Sequence, residues 1–293
     1  MRSDNYRIGL IGEHIGTSLS PMIHTAEAIA QGLTDFRYEL IDLEAQPDAV
    51  EHLGEIIQEH VAAGFTGFNV THPHKQHVIA HLDGLTAAAR ILGAVNNIIL
   101  TQDGWIGHNT DHSGFLGGLH ARLPEDAPRE TAVLFGAGGA GAAVASALLD
   151  FGVQNLYVID PQQAQLDQLN ERLAAILDEG LRLHTGSPDM AAAWVPNANA
   201  VINATPIGME HLPGTPFDVS LLTGDHWVAD VIYRPLETQL LAHARSLGCH
   251  TVDGTAMLVE QAADTFEYQT GLAANRQRMR THLHQELLAV PVA

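Results

Sequence analysis

Lysine is almost absent from this chain of 293 residues: Lys75 stands alone beside thirteen arginines. Arginine carries the same charge but does not give up its proton, whereas an ε-ammonium shifts its pKa readily when buried. The scarce residue is thus the one able to transfer a proton, although a genome that writes Arg for Lys would leave the same count by chance. Cysteine is equally rare, and the single Cys249 excludes an internal disulfide. With no charged-then-apolar leader at the start, the expected location is a reducing cytoplasm. Positive charge is short overall: 14 basic against 34 acidic residues leave a formal charge of −20. That balance argues against nucleic acid or an anionic membrane as partner, and partial protonation of 18 histidines only moderates it. No apolar run approaches the length of a bilayer span, and neither an internal repeat nor a low-complexity tract is present.

What remains is a globular α/β composition, 46% hydrophobic, long enough for two domains with separate cores. Between Tyr6 and about Asp111, short apolar strands alternate with helical stretches. Strands are expected at Arg7–Gly12, Phe36–Leu43 and Gly67–Val70, and helices at Pro21–Gly32, Pro47–Ala63 and Pro73–Asp83. This alternation implies a mostly parallel sheet covered by helices. Ala94–Leu100 and Trp105–Asn109, joined by a turn at 102–104, read as a closing hairpin. A helix over about 112–123 and a polar stretch over 124–130 lead to a second unit. The fold class is therefore α/β with two domains, an N-terminal one with a mostly parallel sheet and a Rossmann dinucleotide-binding one. The expected limits are 1–112 for the first, completed by C-terminal helices over 255–293, and 113–254 for the second.

The second unit opens on the strand Thr131–Phe135, followed at once by Gly136-Ala137-Gly138-Gly139-Ala140-Gly141 and a small-residue helix over 142–150. The next strand, Leu156–Asp160, ends in an acid. Strand, glycine turn, helix, strand and terminal acid stand in the order a dinucleotide-binding βαβ unit requires. Gly136 permits the tight turn, Gly138 the approach of backbone to a pyrophosphate, and Gly141 close helix–sheet packing. Asp160 can accept hydrogen bonds from both adenosine ribose hydroxyls and would repel a 2′-phosphate, so NAD is expected over NADP. Residues 161–165 supply no cation, and the next basic residue is Arg172. A turn acid that merely caps the following helix would look the same. Further strands are expected at Ala200–Asn203, Trp227–Ile232 and His250–Val252, and helices over Met257–Val290.

In the first unit, Gly67-Phe68-Asn69-Val70-Thr71-His72-Pro73-His74-Lys75 reads as a buried strand, a polar cap and a proline at the first helical position. Lys75 would then lie in a helix's first turn, where the dipole disfavours the ammonium. His72, His74, His77 and His81 crowd this region, with 77 and 81 four apart, but no Cys partner or His-Glu-x-x-His pattern accompanies them. No metal is expected.

Other polar turns are Ser18-Leu19-Ser20-Pro21, Ala94-Val95-Asn96-Asn97, Gly107-His108-Asn109-Thr110-Asp111, Asn203-Ala204-Thr205-Pro206-Ile207-Gly208-Met209 and the run from Asp253 to Gln261. Together with the Lys75 segment they resemble, along nearly the whole chain, the shikimate dehydrogenase family. Asp160 without a following arginine is most similar to the NAD-using quinate/shikimate branch of that family. The resemblance implies that Ser18 and Ser20 bind a substrate carboxylate, and that Thr71, Asn96, Asn109, Asp111 and Gln261 meet ring hydroxyls. It implies that Lys75 and Asp111 form the catalytic pair and that Tyr233 lies near the substrate. Thr205, Met209 and Gly254 would line the nicotinamide end. Thr255 departs from the apolar residue of many shikimate-specific relatives, and its hydroxyl is expected to accept quinate's extra C1 hydroxyl. The implied partner is a small molecule, and the implied assembly a monomer or homodimer.

Oxidising a secondary alcohol sends a hydride to the nicotinamide while the hydroxyl proton leaves, so a base must reach that oxygen. Lys75 and Asp111 can share the task, and which of them takes the proton first stays open. Singly, Ser20 could be a helix cap, Asn96 and Asn97 turn residues, and Asp111 a cap of the bridging helix. The competing functions are a shikimate-preferring or aminoshikimate-type member and a catalytically silent dinucleotide-binding regulator.

Overall fold

The computed structural model describes residues 5–46, 48–174 and 180–289, so the expected helix start at Pro47 and helix end at Val290 lie outside the described residues. The chain forms two compact units, Met1–Thr110 with Gln261–Ala293, and Asp111–Glu260. The division falls two residues before the expected first boundary and six after the second.

The first unit holds β1 (Asn5–Gly12), β2 (Asp35–Asp42), β3 (Gly67–Val70), β4 (Gly84–Leu85), β5 (Asn97–Thr101) and β6 (Gly104–His108), in the order β2-β1-β3-β5-β6-β4. β1, β2 and β3 run parallel, whereas β5 is antiparallel to both β3 and β6. α1 (Ser20–Ala30), α2 (Ala49–Ala62) and α3 (Ala87–Leu92) accompany this sheet. Leu53, Ile56 and Ile57 of α2 recur at helical spacing and pack with Phe68, Val70 and Ile98 of the sheet, which is how an amphipathic helix gains its stability. Thr86 caps α3 by accepting from the Ala89 amide (3.4 Å), and Gly93, at φ 59, ends it.

The second unit holds β7 (Thr131–Phe135), β8 (Asn155–Ile159), β9 (Arg182–Gly186), β10 (Ala200–Asn203), β11 (Trp227–Asp230) and β12 (His250–Val252). Its order, β12-β11-β10-β7-β8-β9 with every pairing parallel, is the 3-2-1-4-5-6 arrangement of a doubly wound dinucleotide fold. α4 (Asp111–Arg122), α5 (Gly139–Phe151), α6 (Gln163–Leu173), α7 (Ala191–Trp194) and α8 (Gln239–Ser246) belong to this unit. The switch in strand order lies between β7 and β10, where such sheets receive ligands. α9 (Gly254–Thr270) and α10 (Arg276–Ala289) end the chain. A Cβ on Gly118 of α4 would come within 3.2 Å of Ala256. The first turns of α9 thus pack on α4, which puts the second boundary inside α9 rather than before it. No described helix is long and apolar enough to cross a membrane.

One expected element is absent. Residues 72–76 form turns, and only a 3-10 helix, His77–His81, follows. The His72–Pro73 bond is cis. The Lys75 carbonyl accepts from the Val95 amide (2.8 Å), not from a residue four further on. Lys75 therefore does not sit in the first turn of an α-helix, and the dipole argument for it fails. Nor do His77 and His81 share an α-helical face.

Candidate active site

In the first unit, register alone gathers the sequence-predicted substrate residues. β1 and β3 are parallel, with Ile11 opposite Val70, so the 13–20 loop and the 71–75 turn leave the sheet at the same edge. β5 is antiparallel to β3, with Asn97 opposite Asn69, and β6 pairs His108 with Asn97. Asn96, just before β5, and Asn109, just after β6, therefore arrive at that edge too. A Cβ on Gly12 would lie 2.4 Å from the Thr71 methyl, so only glycine lets the two loops approach this closely.

Hydrogen bonds then fix several of these side chains. Asn96 is 5% exposed; its Nδ2 donates to Thr110 Oγ1 (3.0 Å) and to Gln261 Oε1 (3.5 Å), and its Oδ1 accepts from the Thr110 amide (2.8 Å). Thr110 Oγ1 also meets Thr265 Oγ1 at 3.2 Å, joining β6's end to α9. Asn109 is buried, and its Nδ2 donates to the Ala94 carbonyl (3.0 Å). Ser18 Oγ accepts from the Ser20 amide (3.3 Å) at the start of α1, where no side chain caps the helix. The cap reading for Ser20 is thus not what the structure adopts. Lys75 is half-buried on its turn.

Two residues of this half escaped the sequence reading as site members. Tyr38 of β2 donates its hydroxyl to Asn69 Oδ1 (2.7 Å), and Asn69 Nδ2 donates to the Asn96 carbonyl (3.0 Å). Burial pushes the Tyr38 phenol above its ordinary range, against a hydrogen bond from Ser20, so it stays a donor. His24 stacks on Tyr38 with centroids 4.7 Å apart, and burial pushes its imidazole down to about 3, leaving it neutral. The chain Ser20–Tyr38–Asn69–Asn96 spans partners that no local spacing relates. Only the identity of Asn69, an amide on an otherwise apolar strand, could have signalled it.

In the second unit, parallel strands deliver the loops after β7, β8, β10, β11 and β12 to one edge. Gly136 takes φ 101, and a Cβ on it would lie 2.9 Å from the Ala204 carbonyl oxygen. A Cβ on Gly141 would lie 2.1 Å from the Gly136 carbonyl oxygen, so α5 abuts the turn backbone to backbone. Cβ atoms on Gly138 and Gly139 would meet nothing within 4 Å. The turn is thus packed behind and open in front, at the amide-rich start of α5, which suits a pyrophosphate. Asp160 Oδ2 accepts from the Ala137 amide (2.8 Å) and Oδ1 from the Gln162 amide (2.8 Å). Two lone pairs of the carboxylate remain for a ribose diol. These residues fit a dinucleotide.

Thr205 Oγ1 donates to Asn203 Oδ1 (2.7 Å) in the loop after β10, which also carries half-buried Met209. Burial raises the Tyr233 phenol, against the nearby Arg234 charge. A Cβ on Gly254 would lie 2.4 Å from the Val231 carbonyl oxygen, which ties α9's start to the loop after β11. Asp111 is the first residue of α4 and 1% exposed. Thr255 is buried, and its hydroxyl donates to Asp253 Oδ1, which also takes the Thr255 amide (3.0 Å). With its proton directed at Asp253, the hydroxyl keeps lone pairs that can still accept a hydrogen bond. Among the described residues no three His, Cys, Asp or Glu side chains gather as a metal site.

Residues 10–98 match the model of the shikimate dehydrogenase substrate binding domain. The chain is 44% identical over 285 residues to a quinate/shikimate dehydrogenase (NAD(+)) of Corynebacterium efficiens, covering 96% of this chain and 98% of that relative. It is 41% identical over 291 residues to a shikimate dehydrogenase (NADP(+)) of an Arthrobacter species, covering 99% and 98%. Among solved structures, quinate dehydrogenase from Corynebacterium glutamicum in complex with NAD superposes with a TM-score of 0.88 at 41% identity, covering 97% of this chain and 100% of that one.

Proposed function

The chain belongs to the shikimate dehydrogenase family, and from that premise we propose that it is a quinate/shikimate dehydrogenase that uses NAD. It oxidises quinate to 3-dehydroquinate and shikimate to 3-dehydroshikimate, reversibly. The observation that carries the cofactor choice is Asp160. Its carboxylate sits beside the glycine turn, tied to the Ala137 and Gln162 amides, and no cation stands between it and Arg172. Relatives of similar identity are named for NAD and for NADP, so identity does not decide; a carboxylate at position 160, which would repel a 2′-phosphate, supports NAD.

In this reading the first unit binds the acid substrate and the second the dinucleotide. Ser18 and Ser20 take the ring carboxylate at the start of α1; Thr71, Asn96, Asn109 and Gln261 take hydroxyls, with Tyr233 nearby. Gly136 to Gly141 hold the pyrophosphate, and Thr205, Met209 and Gly254 line the nicotinamide end. The bound dinucleotide supplies the hydride acceptor. Lys75 and Asp111 receive the hydroxyl proton as the carbon–hydrogen bond breaks and the carbonyl forms, and pass it to solvent. A site built to hydrogen-bond several hydroxyls rejects analogues that lack them, because its own polar groups go unpaired.

Initial rates with quinate and shikimate, each with NAD and with NADP, test the proposal. Turnover of both acids is expected, with kcat/KM for NAD at least about ten-fold above NADP, the scale of one charged hydrogen bond. Equal use of NADP would refute the Asp160 argument. Dinucleotide binding without turnover of either acid would indicate a silent regulator instead.

A further inference from the structure

Asp230, Asn203 and Thr238 meet at the carboxyl edge of the second unit's sheet. Asp230 ends β11 at 2% exposure, and Asn203 ends β10 fully buried. Asp230 Oδ1 accepts from Asn203 Nδ2 (3.1 Å) and from the Ile232 amide (3.0 Å), and Oδ2 accepts from Thr238 Oγ1 (2.8 Å). None of these donors is charged. Burial, opposed by the three hydrogen bonds, raises the carboxyl to about 6. A buried carboxylate with neutral partners costs stability, so its use lies in what it holds.

It holds two loops. Asn203 donates its other amide hydrogen to the Ile207 carbonyl (2.9 Å), and its Oδ1 accepts from the Thr205 amide (3.0 Å) and hydroxyl (2.7 Å). Ile232 and Thr238 lie at either end of the segment that carries Tyr233, and Thr238 also caps α8 by accepting from the Leu241 amide (3.3 Å). A carboxylate only accepts, so it forces the Asn203 amide group to face it and thereby turns Oδ1 towards Thr205. Thr205 in turn abuts the glycine turn: its methyl is 3.2 Å from where a Gly136 Cβ would lie.

We propose that Asp230 is a positioning residue for dinucleotide binding, fixing Thr205 through Asn203 and the 232–238 segment through Ile232 and Thr238. The dinucleotide's nicotinamide end then meets a wall already in place. This rests on the reading above, in which that edge receives NAD.

The test uses the full chain with Asp230→Asn, Thr238→Val and Thr238→Ser, measuring NAD affinity by calorimetry and steady-state constants for NAD and quinate. An asparagine at 230 frees both amides to flip, so Kd and KM for NAD are expected to rise about ten-fold. KM for quinate at saturating NAD is expected to rise less than KM for NAD, since of the substrate residues only Tyr233 lies on the segment that Asp230 holds. Thr238→Val is expected to weaken NAD binding in the same direction, and Thr238→Ser, which keeps the hydroxyl, to restore most of the loss. A merely structural role would lower Tm and the active fraction while leaving KM for NAD unchanged, and that result overturns the proposal. If Asp230→Asn does not fold, unchanged NAD affinity in Thr238→Val overturns it equally. Wild-type protein that binds no NAD refutes the functional reading and this inference together; wild type and variants that bind NAD equally refute only the inference.

Discussion

Lys75 owes its place to a turn whose carbonyl is held by the Val95 amide, so any special reactivity must come from side chains around it rather than from a helix dipole. Arginine would keep the charge at that position but cannot act as a base near neutral pH. Lys75→Arg is therefore expected to lower kcat at least about 100-fold, the range of a lost general acid–base group, with a smaller change in KM for quinate. A stopped-flow or steady-state assay that returned near-normal kcat would end the proton-transfer role. Thr255 serves a local structure whether or not it also meets a ligand. A carboxylate two positions earlier, Asp253, accepts from its hydroxyl and its amide, while the hydroxyl oxygen can still accept. Ser, Thr and Asp favour such local bonds, and the sequence Asp-x-Thr carried that alternative openly.

At the scale of elements, the glycine turn separates folding from binding residue by residue. Gly141 has no room, since a Cβ would lie 2.1 Å from the Gly136 carbonyl oxygen, whereas Gly138 has open space and an ordinary φ of −69. Gly141→Ala is expected to destabilise the protein by roughly 3 kcal/mol, at the upper end of overpacking costs because backbone must move. Gly138→Ala is expected to melt within about 2 °C of wild type, as a tolerated substitution should, yet to lose NAD affinity as its methyl enters the cradle. Thermal melts with NAD titrations check both, and normal NAD binding by Gly138→Ala would move the pyrophosphate elsewhere. The turn was legible in the sequence because its strand, glycines and helix are contiguous. The 3-10 helix His77–His81 was not: Pro73 satisfied the local rule for a helix start, while the pairing of Lys75 with Val95, twenty residues away, drew the chain into a turn. The chain from Tyr38 through Asn69 to Asn96 and the knot at Asp230 were hidden for the same reason, since each joins separate strands.

For the whole molecule, two buried carboxylates give the units opposite responses to pH. In the first unit Glu27, 1% exposed, anchors α10 to α1. Arg278 donates to both its oxygens (2.8 and 2.6 Å), joined by the Asn275 amide (2.9 Å) and Gln31 (2.9 Å). Burial raises this carboxyl, but those donors outweigh it and hold the folded group below the usual range. Its contribution is thus complete above the unfolded carboxylate value, about 4.3, and is lost as pH falls through the folded one. Asp230 in the second unit is raised to about 6. Its contribution is complete below the unfolded value of about 3.9 and is lost as pH rises through about 6. Acidification from pH 8 to pH 5 should therefore stabilise the second unit while leaving the first nearly unchanged, and further acidification should weaken the first. Calorimetric scans across this range are expected to show the two contributions moving apart. Asp230→Asn should flatten the change between pH 8 and pH 5, and Glu27→Gln the loss below it. Arg278→Ala strands the Glu27 charge and should cost roughly 2–3 kcal/mol at pH 7, less than for a fully buried pair because Arg278 is partly exposed. A Glu27→Gln protein that kept the full acid-side loss would remove this pair from the account of how the chain's end is held.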